Sequence, residues 1–256
     1  DISVEEKPTG EISAGAGIGT SGGKLAFSIK ENNWLGEGKR VEFAADIDQE
    51  TVTGVLSYSD PNYDLLGNSL YYSISSESND KPDRGFENTI IGASVGTSFE
   101  QYKNIIASLG LSLSYDDLRT ENNASSNLKK QSGEYSEFEA NYGFAYDLRN
   151  RKFKPSSGSY IGFRQGIPIY ADKPSISNEV SSSTYVTLSE DVIGSAKFFA
   201  AAVNSFGSDS DDVRLSKRVG LSSKRLRGFQ KNKVGPVDGE DHIGGNYATA
   251  LNFEAN

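Results

Sequence analysis

Hydrophobic and polar residues alternate with a period of two over much of this chain. In the clearest stretch, Leu109, Leu111 and Leu113 share one face, while serine and glycine occupy the other. In a second stretch, Glu137 and Glu139 alternate with aromatic and small apolar residues. A period of two predicts β-strands that have one apolar face and one polar face.

Twelve segments carry this alternation, and several are longer than the five or six residues of an average strand. They are residues 12–18, 25–29, 41–47, 52–58, 70–74, 91–99, 105–116, 137–148, 161–169, 184–190, 197–206 and 247–253. Short and long connections alternate between them, with long ones predicted at 77–88, 120–134, 171–183 and 207–245. Tilted strands of about ten residues span a bilayer core. We therefore predict an all-β fold, an antiparallel transmembrane β-barrel of the outer-membrane type.

Composition fits this prediction without proving it. Hydrophobic residues make up 36% of the chain, the mean hydropathy is −0.50, and no apolar run reaches the ~20 residues of a membrane helix. A net charge of −9 argues against nucleic acid as a partner, because phosphate binding depends on positive patches. The absence of cysteine excludes a disulfide framework. A soluble β-sandwich or lipocalin-like barrel, which also alternates, is the competing interpretation.

Signals for catalysis or cofactor binding are weak. The glycines of 15–19 match a loose nucleotide-binding pattern, but no helical pattern follows them. An outer-membrane hydrolase would have to use His242, the single histidine, and no nucleophile motif accompanies it. Asp209, Asp211 and Asp212 are spaced unlike the ligands of a calcium loop. We expect no enzyme activity, no cofactor and no metal.

Four ordered stretches resemble one known family. They are Asn33–Gly38, Asp60–Tyr63, Asp147–Gly158 and Leu226–Phe229. The third carries a D-x-R-x-x-x-F-x-P-x-x-G turn motif through Asp147, Arg149, Phe153, Pro155 and Gly158. The fourth is similar to a V/I-R-G-F motif. Together they resemble the barrel domain of the BamA family, assembly factors of the bacterial surface antigen superfamily.

The resemblance implies a function in the bacterial outer membrane. Family members fold and insert other barrel proteins into that membrane through a lateral gate, without covalent chemistry. The partners it implies are unfolded outer-membrane barrel proteins, lipoproteins of the assembly complex, periplasmic chaperones and the lipid bilayer. A TamA-like barrel or a two-partner-secretion translocase is the alternative within the membrane class, and a passive porin is the next.

The resemblance also implies a domain layout. Residues 1–9 are similar to the end of the last periplasmic POTRA domain and its linker, and 10–256 to the barrel. Family barrels have about sixteen strands, so the chain is expected to stop before the closing strands. Because it lacks methionine and a signal-peptide pattern, we expect an internal fragment or a processed chain.

Basic residues are concentrated in the long loop 207–245. They are Lys217, Arg218, Lys224, Arg225, Arg227, Lys231 and Lys233. Inward strand positions carry the acids Glu42, Asp46, Asp116, Glu137, Glu139 and Asp147. We predict that the loop folds into the lumen and pairs with these acids; a solvated basic loop is the alternative. In the family, the arginine of the Arg227-Gly228-Phe229 motif braces the loop against late strands, so its preferred partner is expected to be missing here.

The first predicted strand is rich in glycine. Gly15, Gly17 and Gly19 leave few side chains to pack, and glycine weakens a strand. The resemblance implies that this strand forms one side of the lateral gate. Alternatively, the glycines make room for a tucked-in loop.

Overall fold

One antiparallel sheet of twelve strands dominates the structure, a computed structural model that describes residues 7–19, 22–206, 213–222, 225–229 and 233–255. The strands are β1 (Gly10–Gly19), β2 (Gly22–Trp34), β3 (Lys39–Ile47), β4 (Thr51–Asp60), β5 (Ser69–Lys81), β6 (Phe86–Tyr102), β7 (Ile105–Thr120), β8 (Gly133–Asp147), β9 (Gly158–Ala171), β10 (Ser175–Ser189), β11 (Val192–Ser205) and β14 (Tyr247–Ala255). A small hairpin, β12 (Val237–Asp238) and β13 (Asp241–His242), lies between β11 and β14. Among the described residues, no helix is long and apolar enough to cross a membrane.

The sheet is a meander in which each strand pairs with the next one along the chain. Its outer face carries the apolar side of the alternation, and Leu109, Leu111 and Leu113 are all exposed there. An apolar face of this extent is suited to lipid and not to water. The prediction of an outer-membrane barrel is thus confirmed, and the twelve-stranded sheet is the wall of that barrel. The alternative prediction of a soluble sandwich is wrong.

The strand connections lie at two ends of the sheet. One end, the turn end, holds residues 35–38, 61–68, 103–104, 148–157 and 190–191. The other, the loop end, holds 48–50, 82–85, 121–132, 172–174 and 206–246. The connection 121–132 includes a short helix, α1 (Ser126–Lys129), and 82–85 begins with a 3-10 turn (Pro82–Arg84).

Two predicted loops are wrong in their extent. The stretch 77–88 is mostly strand, since β5 continues to Lys81 and β6 begins at Phe86, and 171–183 is mostly β10. Polar residues suggested loops, but here they continue the strands, and those on the inner face bond across strands. Asn79, for example, sits opposite Asn88 and donates to its side-chain oxygen at 3.2 Å.

The buried core lies inside the wall, near the loop end. It consists of Phe86, Leu118, Ala124, Leu128, Tyr135 and Leu215, with Ile243 packed against them. Leu215 comes from the long connection between β11 and β14, whereas Phe86 and Leu118 come from the wall. The core therefore joins the loop to the inner face of the sheet.

The first and last strands form the outer edges of the sheet. β1 pairs with β2, and β14 pairs with β11, but the two edge strands do not pair with each other among the described residues. Of the predicted segment 1–9, residues 1–6 lie outside the described residues, as do Asp209, Asp211 and Asp212.

Candidate functional site

The long loop contacts the inner wall at two separate places. The first limb, residues 213–219, includes a 3-10 turn (Leu215–Lys217) and inserts Val213 and Leu215 until neither is exposed. The Leu215 backbone N–H donates to Gln131 Oε1 at 3.2 Å, and its carbonyl accepts from Arg84 Nη2 at 3.2 Å. Backbone and side chain of this residue are therefore both bound by the wall and its loops.

Arg214 is the centre of the polar contacts of the first limb. Its side chain is only 5% exposed, and its Nη2 donates to Glu137 Oε2 at 3.1 Å. Its Nε lies 3.4 Å from Asp116 Oδ2, and its guanidinium lies 5.1 Å from the centre of the Tyr135 ring. Lys217 Nζ adds a second cation, 2.8 Å from the same Glu137 oxygen. A buried pair of this kind is strongly destabilised when one partner is removed.

Hydrogen bonds extend this cluster across neighbouring strands. Asp116 Oδ2 accepts from Ser216 Oγ at 2.5 Å, and Asp116 Oδ1 accepts from Asn88 Nδ2 at 2.7 Å. Glu139 lies 3.6 Å from Lys217 Nζ. The first limb is thus bound to wall carboxylates on β7 and β8, and through Asn88 to β6. Such networks fix one arrangement when their members are satisfied.

The second limb, residues 225–229, lies against later strands. The Arg225 guanidinium stacks on Phe199, 3.3 Å from the ring centre, and the Arg225 carbonyl accepts from Asn252 Nδ2 at 3.0 Å. Arg227 Nη2 lies 3.0 Å from Glu254 Oε1 on β14, yet its side chain is 68% exposed. Arg227 therefore has a carboxylate partner on β14, whereas the partner expected from the family on later strands stays a prediction.

The remaining residues of the Arg227-Gly228-Phe229 motif point to a turn. Gly228 has a φ of +82°, a region that favours glycine, and Phe229 is exposed. Both follow Arg227 directly at the tip of the second limb. Lys224 and Lys231, which were predicted to share the basic cluster, lie outside the described residues.

Within the part of the loop that the structure describes, some of the predicted inner-wall acids contact it. Asp116, Glu137 and Glu139 do, whereas Asp46 pairs with Lys24 of β2 at 2.9 Å. The alternation of polar and apolar residues along the strands shows which acids face inward. It does not show which of those acids the loop contacts.

Asp147 lies at the turn end, where it forms the predicted turn motif. Its carboxylate accepts from Arg149 Nε at 2.8 Å and from Arg149 Nη2 at 2.7 Å. This pairing raises the pKa of Arg149, whose guanidinium also lies 4.9 Å from the centre of the Tyr160 ring. Gly158 has a φ of +93°, and any other residue would place its Cβ 2.2 Å from a backbone carbonyl oxygen. Phe153 of the same motif is exposed.

Sequence reasoning missed Arg214, Ser216 and Arg84. Arg84 is almost completely buried, and it donates to the carbonyls of Leu215 and Ile243, both at 3.2 Å. Burial, with repulsion from Arg218, lowers the pKa of Arg84 to about 10. A usable signal for the first limb was present, because Val213 and Leu215 are apolar residues alternating with Arg214 inside a charged loop.

The first strand has little side-chain packing. β1 pairs over ten residues, from Gly10 opposite Glu31 to Gly19 opposite Gly22. No described atom lies within 4 Å of the position that a Cβ would take at Gly15 or Gly17. Among the described residues, no part of the loop therefore approaches these two glycines. Backbone pairing with β2 holds this strand, together with Glu11, which pairs with Lys30 at 2.8 Å and accepts from Asn32 at 3.1 Å.

Known proteins similar to this chain agree on its class. The model of the Omp85 superfamily domain matches residues 33–255. The outer membrane protein assembly factor BamA of Neorickettsia risticii (strain Illinois) is 23% identical over 258 residues, covering 96% of this chain and 34% of the relative. The BamA of Neisseria meningitidis serogroup B is 27% identical over 115 residues, covering 44% of this chain and 13% of the relative. This chain thus spans about a third of the length of the first relative.

Solved structures share the fold. BamA from Haemophilus ducreyi lacking POTRA domains 1–3 matches with a TM-score of 0.85 and 24% identity, covering 98% of this chain and 53% of that one. CdiB from Acinetobacter baumannii matches with a TM-score of 0.53 and 12% identity, covering 95% and 45%. At these identities the likeness shows the fold alone. With the family model matching most of its length, the chain belongs to the Omp85 superfamily and is an outer-membrane β-barrel protein.

Proposed function

We propose that this chain is the barrel part of an outer-membrane protein assembly factor, which folds and inserts other barrel proteins without covalent chemistry. Both curated relatives bear the name of that factor, and one of them aligns with 96% of this chain. The partners that follow from the proposal are unfolded barrel proteins, lipoproteins of an assembly complex and periplasmic chaperones. Similarity to CdiB supports the fold and adds no support for an export function.

The weakly packed first strand is the observation that carries this proposal. A strand edge presents unpaired N–H and C=O groups, and in lipid each unsatisfied group costs several kcal/mol. An incoming strand that pairs with such an edge satisfies its own backbone while it enters the bilayer. Gly15 and Gly17 add no side-chain contacts that would hold β1 in place. Replacing the strand that pairs with the outer edge of β1 therefore costs less free energy than replacing the neighbour of a well-packed strand.

The loop contacts fit the same proposal. The first limb binds β7 and β8 deep inside the wall, whereas the second limb reaches β14 through the exposed Arg227. The loop thus braces the wall at β7 and β8 and again at β11 and β14, away from β1. Such bracing fits an assembly factor, because the wall must persist while β1 exchanges its outer partner.

A disulfide that locks β1 to the last strand of the full-length protein tests the proposal. This chain contains no cysteine, so an introduced pair is unambiguous within it. We expect the oxidised form to lose stimulation of the folding of a urea-denatured barrel protein into liposomes, and the reduced form to regain it. The matched control is a disulfide between Ala14→Cys and Phe27→Cys, which are opposite each other in β1 and β2. It staples β1 to its present neighbour and leaves the outer edge available.

Two results would contradict the proposal. Full stimulation by the locked form would show that the edge does not exchange. Steady ion conductance by the unlocked protein, with no stimulation of client folding, would indicate a porin instead.

A further inference from the structure

A cluster of positive charge stands out at the turn end of this acidic protein. The connection between β8 and β9 carries Arg151, Lys152, Phe153 and Lys154 in succession, here called the basic tip. All four residues are exposed, and Phe153 is 79% exposed. The chain as a whole has a charge of −9, so the cluster is a local feature and does not reflect the average composition.

The basic tip is held in one shape by its own turn. Asn150 Oδ1 accepts from the backbone N–H groups of Ser156 and Ser157, at 3.1 and 3.3 Å. Arg151 Nε donates to the carbonyl of Lys154 at 2.6 Å. The Phe153 ring is thereby presented outward on an ordered turn, and an ordered surface loses less entropy on binding than a disordered one.

Its position places the tip at the membrane surface. The outward apolar face of the wall continues to Leu148, one residue beyond β8, and to Ile161 near the start of β9, and both are exposed. Arg151 is three residues beyond Leu148, so the tip begins where the strands leave the lipid-facing band. Aromatic rings and lysine or arginine side chains are typical of this depth, with the ring among the acyl chains and the charge among the headgroups.

Among the described residues of the turn end, exposed positive charge is densest in this region; elsewhere Lys39 is paired with Glu37, and Arg40 is a single exposed arginine. The β6–β7 turn adds Lys103, and its neighbour Asn104 accepts from the Asp147 backbone N–H at 3.2 Å, so the two turns are adjacent. By contrast, the β4–β5 turn exposes Leu65 and Leu66 beside Asp60 and Asp64, with no lysine or arginine. Other acids of the turn end are Glu37, Glu190 and Asp191. Asp147, the acid nearest in sequence to the tip, is already paired with Arg149.

We propose that the basic tip binds the headgroups of anionic phospholipids in the leaflet at the turn end. Phosphodiester groups would pair with Arg151, Lys152 and Lys154, while Phe153 enters the acyl region. Each cation held near an anionic membrane surface contributes roughly a fivefold preference for that surface. The site would fix the depth and tilt of β8 and β9 in the membrane, whatever the protein assembles.

Photocrosslinking in the full-length protein tests this inference. The photoreactive residue benzoylphenylalanine replaces Phe153, and the protein is reconstituted in an equimolar mixture of phosphatidylcholine and phosphatidylglycerol. Mass spectrometry then counts the adducts of each lipid. We expect a severalfold excess of phosphatidylglycerol adducts, and a clearly smaller excess when Lys152→Gln and Lys154→Gln are added, because Arg151 is then the one cation left in the tip. This pair keeps Arg151, and with it the hydrogen bond that shapes the turn.

The matched control carries benzoylphenylalanine in place of Leu65, in the β4–β5 turn. That turn also exposes apolar side chains, but it carries acids and no lysine or arginine. This control should show no excess of phosphatidylglycerol. Equal adducts of both lipids at position 153 would overturn the inference. Adducts to protein in place of lipid would overturn it as well, and would point to an acidic protein surface as the partner. Heat-shifted electrophoretic mobility confirms that each variant is folded before it is irradiated.

Discussion

The two limbs of the long loop bind the wall with the same chemistry but at very different depths. Arg214 of the first limb is 5% exposed and bonds to Glu137, whereas Arg227 of the second limb is 68% exposed and pairs with Glu254. Removing one partner of a pair that is buried on both sides leaves an uncompensated charge. In the Arg227–Glu254 pair, Glu254 is 10% exposed but the arginine lies mostly in water, which screens it. The recognisable motif at Arg227 is therefore the weaker of the two attachments. The stronger one lies in an unremarkable stretch of sequence.

The two limbs also attach the loop to different parts of the wall. The first limb binds β7 and β8 and shares the buried core through Leu215. The second limb contacts β14 through Arg227 and through the Arg225 carbonyl, which accepts from Asn252.

The largest effect is expected when the buried arginine loses its charge. Arg214→Met in the full-length protein should lower the free energy of unfolding by about 3–5 kcal/mol, because the buried Asp116 loses the arginine that it pairs with, although Glu137 keeps Lys217. Urea denaturation followed by heat-shifted mobility measures this loss. Arg119→Met is the control, since Arg119 pairs with Asp117 but is largely exposed. If the two variants are equally stable, the first limb is not the main attachment.

A smaller loss is expected from the apolar part of the same limb. Leu215→Ala should cost about 2–5 kcal/mol, because it opens a cavity among Phe86, Leu118 and Leu128. Phe229→Ala in the second limb should change stability by less than about 0.5 kcal/mol, because that ring is exposed. The same denaturation assay compares them. A larger loss of stability from Phe229→Ala than from Leu215→Ala would show that the second limb contributes more to stability than the first.

Arg84 should matter less than Arg214 although both are buried. Among the described contacts its Nη2 bonds to two carbonyl oxygens, and burial lowers its pKa to about 10, so its charge is poorly accommodated. Arg84→Met should therefore cost only about 1–3 kcal/mol, the value for unsatisfied buried acceptors. Unfolding in urea, run beside Arg214→Met, gives the ranking. A loss that exceeds the loss at Arg214 would mean that Arg84 is the principal support of the loop.

The sequence predicted the wall better than the loop, for a physical reason. Alternation is a local property, so twelve strands and their inner acids could be identified from their own residues. Contacts of Arg214 with Glu137 depend on how a distant loop returns to the wall, and no local pattern encodes that path. Polar stretches such as the one around Asn79 were misinterpreted as loops because the inside of this fold is polar. Arg227 was found only through its resemblance to a family motif.

The smallest effect should come from the motif arginine itself. Arg227→Met is the same substitution as in the first limb, but the side chain already lies mostly in solvent. Glu254 also keeps Lys197, whose Nζ lies 2.6 Å from its other oxygen, so its charge stays compensated. We expect a loss of at most about 1 kcal/mol, the range for an exposed pair. Added salt should reduce this loss further, whereas the cost of Arg214→Met should hardly change, since buried pairs are screened much less. If the loss at Arg227 is large and independent of salt, the second limb is buried in the working protein, and the distinction between the limbs fails.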